Sequence, residues 1–168
     1  MYAIRKLSSD DGPSFLALRQ RALRDHPEIF TSTAQEWDVP VSHAIERIET
    51  NSVFGAFDNS NLIGVVTLAL SARKATKQRH KAEIWSVYTL PEFRRKGIAR
   101  ALLQTAIDEA RKRGLLAVTL SVADGNESAL KLYEELGFIC YGTEPDAIRM
   151  PDDGRLIDNH FLNLKLRS

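Results

Sequence analysis

The chain has 168 residues, 43% apolar and 27% charged, with a net charge of +1. That length suits one domain, residues 1–168, with a substantial core, and so balanced a charge gives no global field for nucleic acid or an anionic membrane. No apolar run approaches the ~18–20 residues that span a bilayer, the opening MYAIRKLSSDDG lacks a signal-peptide core, and the single cysteine, Cys140, excludes an intrachain disulfide. A cytoplasmic protein is expected. The four histidines, His26, His43, His80 and His160, are scattered without ligand spacing, so no metal site is expected.

Residues 2–7 alternate and predict a first strand. Residues 9–25 carry helix signals, with Ser9, Asp10 and Asp11 at the start and Phe15, Leu18 and Ala22 on one face. His26-Pro27 ends that helix. Residues 42–50 predict a second helix through Ala44, Ile45 and Ile48. Residues 53–57 and 62–70 flank a DNSN turn and read as a hairpin. The polar, basic stretch 71–81 reads as a loop. AEIWSVYTL (82–90) is the next strand, rich in β-branched and aromatic residues and stopped by Pro91.

Residues 97–113 predict a helix, because Ile98, Leu102, Ala106 and Ala110 repeat at four-residue steps and Gly114 stops the run. LLAVTLSV (115–122) is a near-continuous apolar run, as a strand covered on both faces would be. Strand 82–90, helix 97–113 and strand 115–122 therefore form a parallel βαβ unit. Residues 126–136 are a short helix before Gly137. Residues 138–145 and 156–166 are strands around a PDDG turn, with Cys140 expected in the core.

The stretch RRKGIARALL (94–103) places Arg94, Arg95 and Lys96 at the mouth of a helix. Helix starts have unpaired N–H groups and a partial positive charge, so added cations suit a bound phosphate. The Walker loop and the dinucleotide fingerprint both fail on glycine spacing. What remains is Arg94-x-x-Gly97-x-Ala99. It is followed by Asn126, Ala129, Leu130, Tyr133, Glu134, Leu136, Gly137 and Phe138 in the order N-x-x-A-L-x-x-Y-E-x-L-G-F.

VYTLPEFRRKGIARALL followed by NESALKLYEELGF resembles the GCN5-related N-acetyltransferases, which use acetyl-CoA. The resemblance covers residues 53–145; residues 9–52 fit the variable acceptor region by position. It implies a mixed α/β (α+β) fold, a mostly antiparallel central sheet with the one parallel βαβ unit, flanked by helices. It implies that the loop from Arg94 through Arg95, Lys96, Gly97, Ile98, Ala99 and Arg100 wraps a pyrophosphate. Val87, Tyr88 and Thr89 would pair with the pantetheine arm, Asn126 and Ser128 would bind the cofactor arm, and Tyr133 would sit near the thioester sulfur. A homodimer is a common family arrangement.

Acetyl transfer to an amine needs a neutral amine, a polarised carbonyl and a stabilised leaving thiolate. Glu83, on the strand before the loop, is the candidate base, or else a strand carboxylate paired with Lys81 or Arg79. Tyr133 is the candidate acid, a phenol near ~10 facing a thiol near ~8.5, or else a core tyrosine. A backbone N–H around Tyr88 would hold the carbonyl oxygen. Phe30, Glu36, Trp37 and Trp85 are candidate acceptor-site residues, and the basic stretch 73–81 suits an acidic acceptor or a solvated loop. The expected function is acetyl transfer to a primary amine of a small molecule or peptide; the alternative is an acyl-CoA-binding regulatory domain without turnover.

Overall fold

The computed structural model describes residues 1–70 and 75–166. Its strands are β1 (Ala3–Lys6), β2 (Ser52–Asp58), β3 (Asn61–Ala69), β4 (Lys81–Thr89), β5 (Ala117–Ala123), β6 (Ile139–Arg149) and β7 (Leu156–Lys165). The helices are α1 (Gly12–Asp25), α2 (Val41–Thr50), α3 (Ile98–Lys112) and α4 (Glu127–Glu135). The strands form one sheet in the order β1-β2-β3-β4-β5-β7-β6, in which only β4 and β5 run parallel. This is the expected mixed architecture.

Predicted and observed boundaries differ mostly by one or two residues. β5 begins two residues late, because the Leu115 N–H closes the end of α3 on the Ala110 carbonyl at 3.1 Å. β6 runs four residues further than its apolar pattern suggested, carried by pairing with β7 through Ile148 and Arg149. In the predicted loop 71–81, residues 71–74 lie outside the described residues, and Lys81 already belongs to β4. Cys140 is not in the core. It is exposed on β6, the outer strand of the sheet, with its thiol 3.5 Å from the Gly142 carbonyl.

β3 lies at the heart of the sheet and is buried on both faces. A Cβ at Gly64 would meet Leu102 of α3 at 3.2 Å and Ile98 at 3.3 Å, so this face lies under α3. Alternation turns Val65 and Thr67 to the other face, which α1 covers with α2 against it. Through the β3–β4 register the same alternation puts Glu83, Trp85 and Tyr88 on the α1–α2 face. No helix among the described residues is long and apolar enough to cross a membrane.

The entry into α1 is tied to β1. The Asp11 carboxylate accepts both terminal nitrogens of Arg5 and the Ser8 N–H, each at 2.8 Å. The Arg5 hydrogen bonds foremost, then the Ser8 N–H, hold the Asp11 carboxyl down to about 2 against the opposing effect of burial. Because the folded value lies below the ordinary one, this contribution is present above about pH 4 and disappears as pH falls toward 2. Acid unfolding followed by circular dichroism should therefore start at higher pH, and from lower stability at neutrality, in Asp11→Asn. Leu102, fully buried under Gly64, should cost about 2–5 kcal/mol when cut to alanine, read as a lower urea midpoint at unchanged slope.

Candidate active site

The site originates in an irregularity of β4. Thr67 pairs with Trp85 and Val65 with Tyr88, so Ser86 and Val87 stand opposite the single residue Val66. Ser86 takes a left-handed φ of +58° to make this bulge. β4 pairs with β5 only at Lys81, Ala82 and Glu83, whereas β5 stays paired with β7 along its whole length. Beyond Glu83 the two parallel strands part. Residues 84–89 form one wall of a cavity of about 760 Å³ and residues 120–123 form the other, with Asn126, Ser128, Ala129, Leu132 and Tyr133 contributed from the α4 side.

The loop from Pro91 to Gly97 begins where β4 ends. Arg95 (φ +62°) and Gly97 (φ +76°) are both left-handed, which curls the backbone into an anion-binding concavity at the start of α3. Gly97 is the N-cap of α3, and no side chain caps the helix there. A Cβ on Gly97 would meet no atom within 4 Å, so the space beside the Gly97 backbone is open. A diphosphate fits this cradle by its chemistry.

The side chains of the loop divide their work. Arg94 donates from Nε to the Thr89 carbonyl at 3.2 Å, lies over the Tyr88 ring at 5.7 Å, and reaches His26 Nε2 at 3.3 Å. It braces the loop against β4 and the end of α1. Arg100 is paired with Glu135 of α4. Lys96 sits over Phe93 at 5.2 Å and does not line the cavity. Arg95, Gly97, Ile98 and Ala99 line it, as do Arg94 and Arg100.

Val87, Tyr88 and Thr89 line the β4 wall. Asn126 is the N-cap of α4 and Ser128 lies in its first turn, after a loop anchored by Asp124. The Asp124 carboxylate is hydrogen-bonded to His160 Nε2 at 2.9 Å, and His160 Nδ1 to the Thr143 hydroxyl at 2.8 Å. Tyr133 is buried, with its ring against Phe138 at 5.9 Å. No hydrogen bond to a described residue engages its hydroxyl, and burial pushes the phenol up to about 12. It stays protonated across the neutral range.

Glu83 is set back from the cavity. Its carboxylate accepts the Trp85 indole N–H at 2.8 Å, and Trp85 itself lines the cavity. Of the expected acceptor residues, Phe30 also lines it. Trp37 is buried behind the wall against Phe15 at 6.2 Å, and Glu36 is occupied by the Thr33 N–H at 2.7 Å.

Sequence reading missed Arg19, Arg47, Ser86 and Asn159, all of which line the cavity. Among the described residues, six carry buried side-chain polar atoms without a partner: Arg19, Thr67, Ser86, Tyr88, Thr89 and Asn159. All but Thr67 face this one cavity. Orphaned polar atoms are rare in proteins and point to a group that completes them. A basic residue at a helix position otherwise reading as core, such as Arg19 between Leu18 and Ala22, was the available signal.

Known proteins share this fold. The profile of the Acetyltransferase (GNAT) family matches residues 15–138. The chain belongs to that family. It is 30% identical over 137 residues to an uncharacterized N-acetyltransferase of Methanocaldococcus jannaschii, a stretch that is 82% of this chain but 60% of that relative. The structure superposes at a TM-score of 0.90 on a GNAT-family acetyltransferase from Streptococcus pneumoniae, at 18% identity over 98% of this chain and 99% of that one. It superposes at 0.87 on yncA of Salmonella typhimurium, solved with its cofactor acetyl-CoA, at 23% identity over 100% of this chain and 95% of that one. At those identities the two structures show the shared fold.

Gly97→Glu tests the loop. A glutamate there is strained at positive φ and adds a carboxylate to the open space beside the loop backbone. Calorimetry should show acetyl-CoA affinity falling by more than about tenfold, beyond the loss of one hydrogen bond to a charged group. The far-ultraviolet dichroism should be unchanged. Full affinity in Gly97→Glu would move the phosphate site elsewhere.

Proposed function

We propose that the chain transfers acetyl from acetyl-CoA to a primary amine by direct attack, with both substrates bound together. The observation that carries this reading is the split between β4 and β5, which leads from the cradle at Gly97 to the free hydroxyl of Tyr133 through a wall of orphaned polar atoms. We assign residues 53–145 to acetyl-CoA and residues 9–52 to the acceptor side. The lone cysteine supports a reducing, cytoplasmic setting.

The loop N–H groups at residues 95–100 hold the diphosphate, and Arg95 adds a cation engaged with no described carboxylate. The β4 edge, freed from β5 beyond Glu83, offers backbone donors and acceptors to the amide-bearing arm. A β4 N–H around Tyr88 polarises the thioester carbonyl. The amine nitrogen attacks that carbon, the carbon–sulfur bond breaks, and its electron pair leaves on sulfur, while one proton leaves nitrogen.

Tyr133 meets the charge developing on sulfur. A thiol ionises near ~8.5, so complete proton transfer from a phenol raised to about 12 is uphill. The phenol therefore acts as a hydrogen-bond donor that stays with its proton, in place of the full proton transfer that an unperturbed tyrosine suggests. Glu83, behind Trp85, takes the amine proton through water, since it does not reach the cavity itself.

Acetyl-CoA should bind measurably in calorimetry, and more weakly as salt rises, because the diphosphate contacts lie at an open mouth. Adding an amine panel should release free thiol; binding without release across the panel would favour the regulatory-domain alternative. Tyr133→Phe should keep KM for acetyl-CoA and lose about 10–100-fold in single-turnover rate. That is the worth of one hydrogen bond to a charged group, about 1.5–3 kcal/mol. An unchanged single-turnover rate would make Tyr133 a packing residue.

A further inference from the structure

Two arginines on the α1–α2 side of the cavity have no counter-charge among the described residues. Arg19 on α1 is only 7% exposed, yet its Nε and Nη1 are buried without a partner. Arg47 on α2 is half-buried and lines the same cavity. Neither forms an ion pair or hydrogen bond with any described residue. Both rest on aromatic faces instead. The Arg19 guanidinium lies 4.8 Å from the Phe30 ring and 5.1 Å from Trp37; that of Arg47 lies 4.9 Å from Trp37 and 5.0 Å from Trp85.

Such an arrangement is unfavourable by itself. Burying an unpaired guanidinium is costly even after relaxation. Ring faces return only part of that cost and satisfy no N–H group. Burial, and then repulsion from Arg47, bring Arg19 down to about 10, which still leaves it charged at neutral pH. Ring contacts leave the guanidinium N–H groups without acceptors, as at Nε and Nη1 of Arg19. A planar fork of donors matches an oxyanion with two parallel bonds. The cavity does not need these two cations for the diphosphate, whose cradle lies on a different element at residues 94–100.

We propose that Arg19 and Arg47 bind an oxyanion, a carboxylate or a phosphonate, that the amine acceptor itself carries. The substrate is then a small zwitterionic amine, preferred over a peptide whose first residues are neutral. This rests on the acetyltransferase reading above and names its substrate class. The same two positive charges disfavour the ammonium form of a nearby amine, so the anchor that orients the acceptor also eases its deprotonation.

The first test does not involve acetyl-CoA. Trp37 and Trp85 are the only tryptophans of the chain, and both contact these arginines. Titrating glycine, succinate, aminomethylphosphonate and inorganic phosphate should change tryptophan fluorescence in a saturable way in the wild type. The change should be lost in Arg47→Gln, which is the less buried of the pair and so the safer variant for folding. A flat response to all four anions would overturn the proposal whatever the protein does with acetyl-CoA.

The second test measures thiol release from acetyl-CoA with matched acceptors: α-amino acids, their carboxamides, aminophosphonates, and peptides with neutral first residues. The acids should exceed their amides in kcat/KM by about 10–100-fold, the worth of one charge-assisted bidentate contact. Arg19→Gln and Arg47→Gln should each erase that preference by raising KM for the acids, with acetyl-CoA affinity in calorimetry unchanged. Preference between carboxylate and phosphonate identifies the oxyanion. Equal rates for acids and amides, faster acetylation of the peptides, or a preference surviving both substitutions would each overturn the proposal while leaving the acetyltransferase reading standing. Absence of acetyl-CoA binding beside a saturable anion response would instead overturn the acetyltransferase reading.

Discussion

The separation of β4 from β5 after Glu83 is the constraint on which the site depends. Two parallel strands that began a ladder cannot continue it, because β5 is held to β7 along its length while the bulge at Ser86 turns β4 away. An edge is thereby opened inside a seven-stranded sheet. Unpaired backbone groups at such an edge are costly unless water or a ligand completes them. Only eight residues, 90–97, separate the end of β4 from α3, so the N-terminus of α3 falls at the mouth of the slot. The open start of α3 and the cavity between β4 and β5 are thus two consequences of one break in pairing.

The polar atoms of the cavity follow the same logic. Buried hydroxyls, an amide oxygen and a guanidinium left without partners lower the stability of the folded chain. Their confinement to one cavity, apart from Thr67, marks where the fold accepts that cost. The rest of the core is conventional: Phe15, Leu102, Leu103, Ile107 and Leu162 are fully enclosed apolar side chains. Stability is drawn from them, and the slot is left incomplete for its substrates.

Charge at the site is arranged by pairing more than by number. Four cations fall within residues 94–100, yet Arg94 braces the loop, Arg100 is matched by Glu135 and Lys96 lies over a ring. The backbone of the loop provides most of the anion-binding geometry. Arg19 and Arg47, which also line the cavity and form no ion pair with a described residue, come from helices α1 and α2, far from the basic run in sequence.

Much of this was legible in the residues. The helical period of 98–110, the apolar run at 117–122 and the glycine after a cationic triplet are local patterns, and each reports a local physical need: a buried stripe, a strand covered on both faces, a left-handed turn before a helix. Tyr133 and Asn126 were legible through their fixed spacing on one short helix. Tertiary structure alone decided the rest. The bulge at Ser86 leaves no trace in an alternating strand, because it arises from the mismatch between pairing partners on either side. Cys140 reads as core by its apolar neighbours, but strand order puts β6 at the outer edge of the sheet. Arg19 and Arg47 stand 28 residues apart on two helices, and no sequence signal joins them. They meet because α1 and α2 pack together around Trp37, and burial without a counter-ion is a property of that packing.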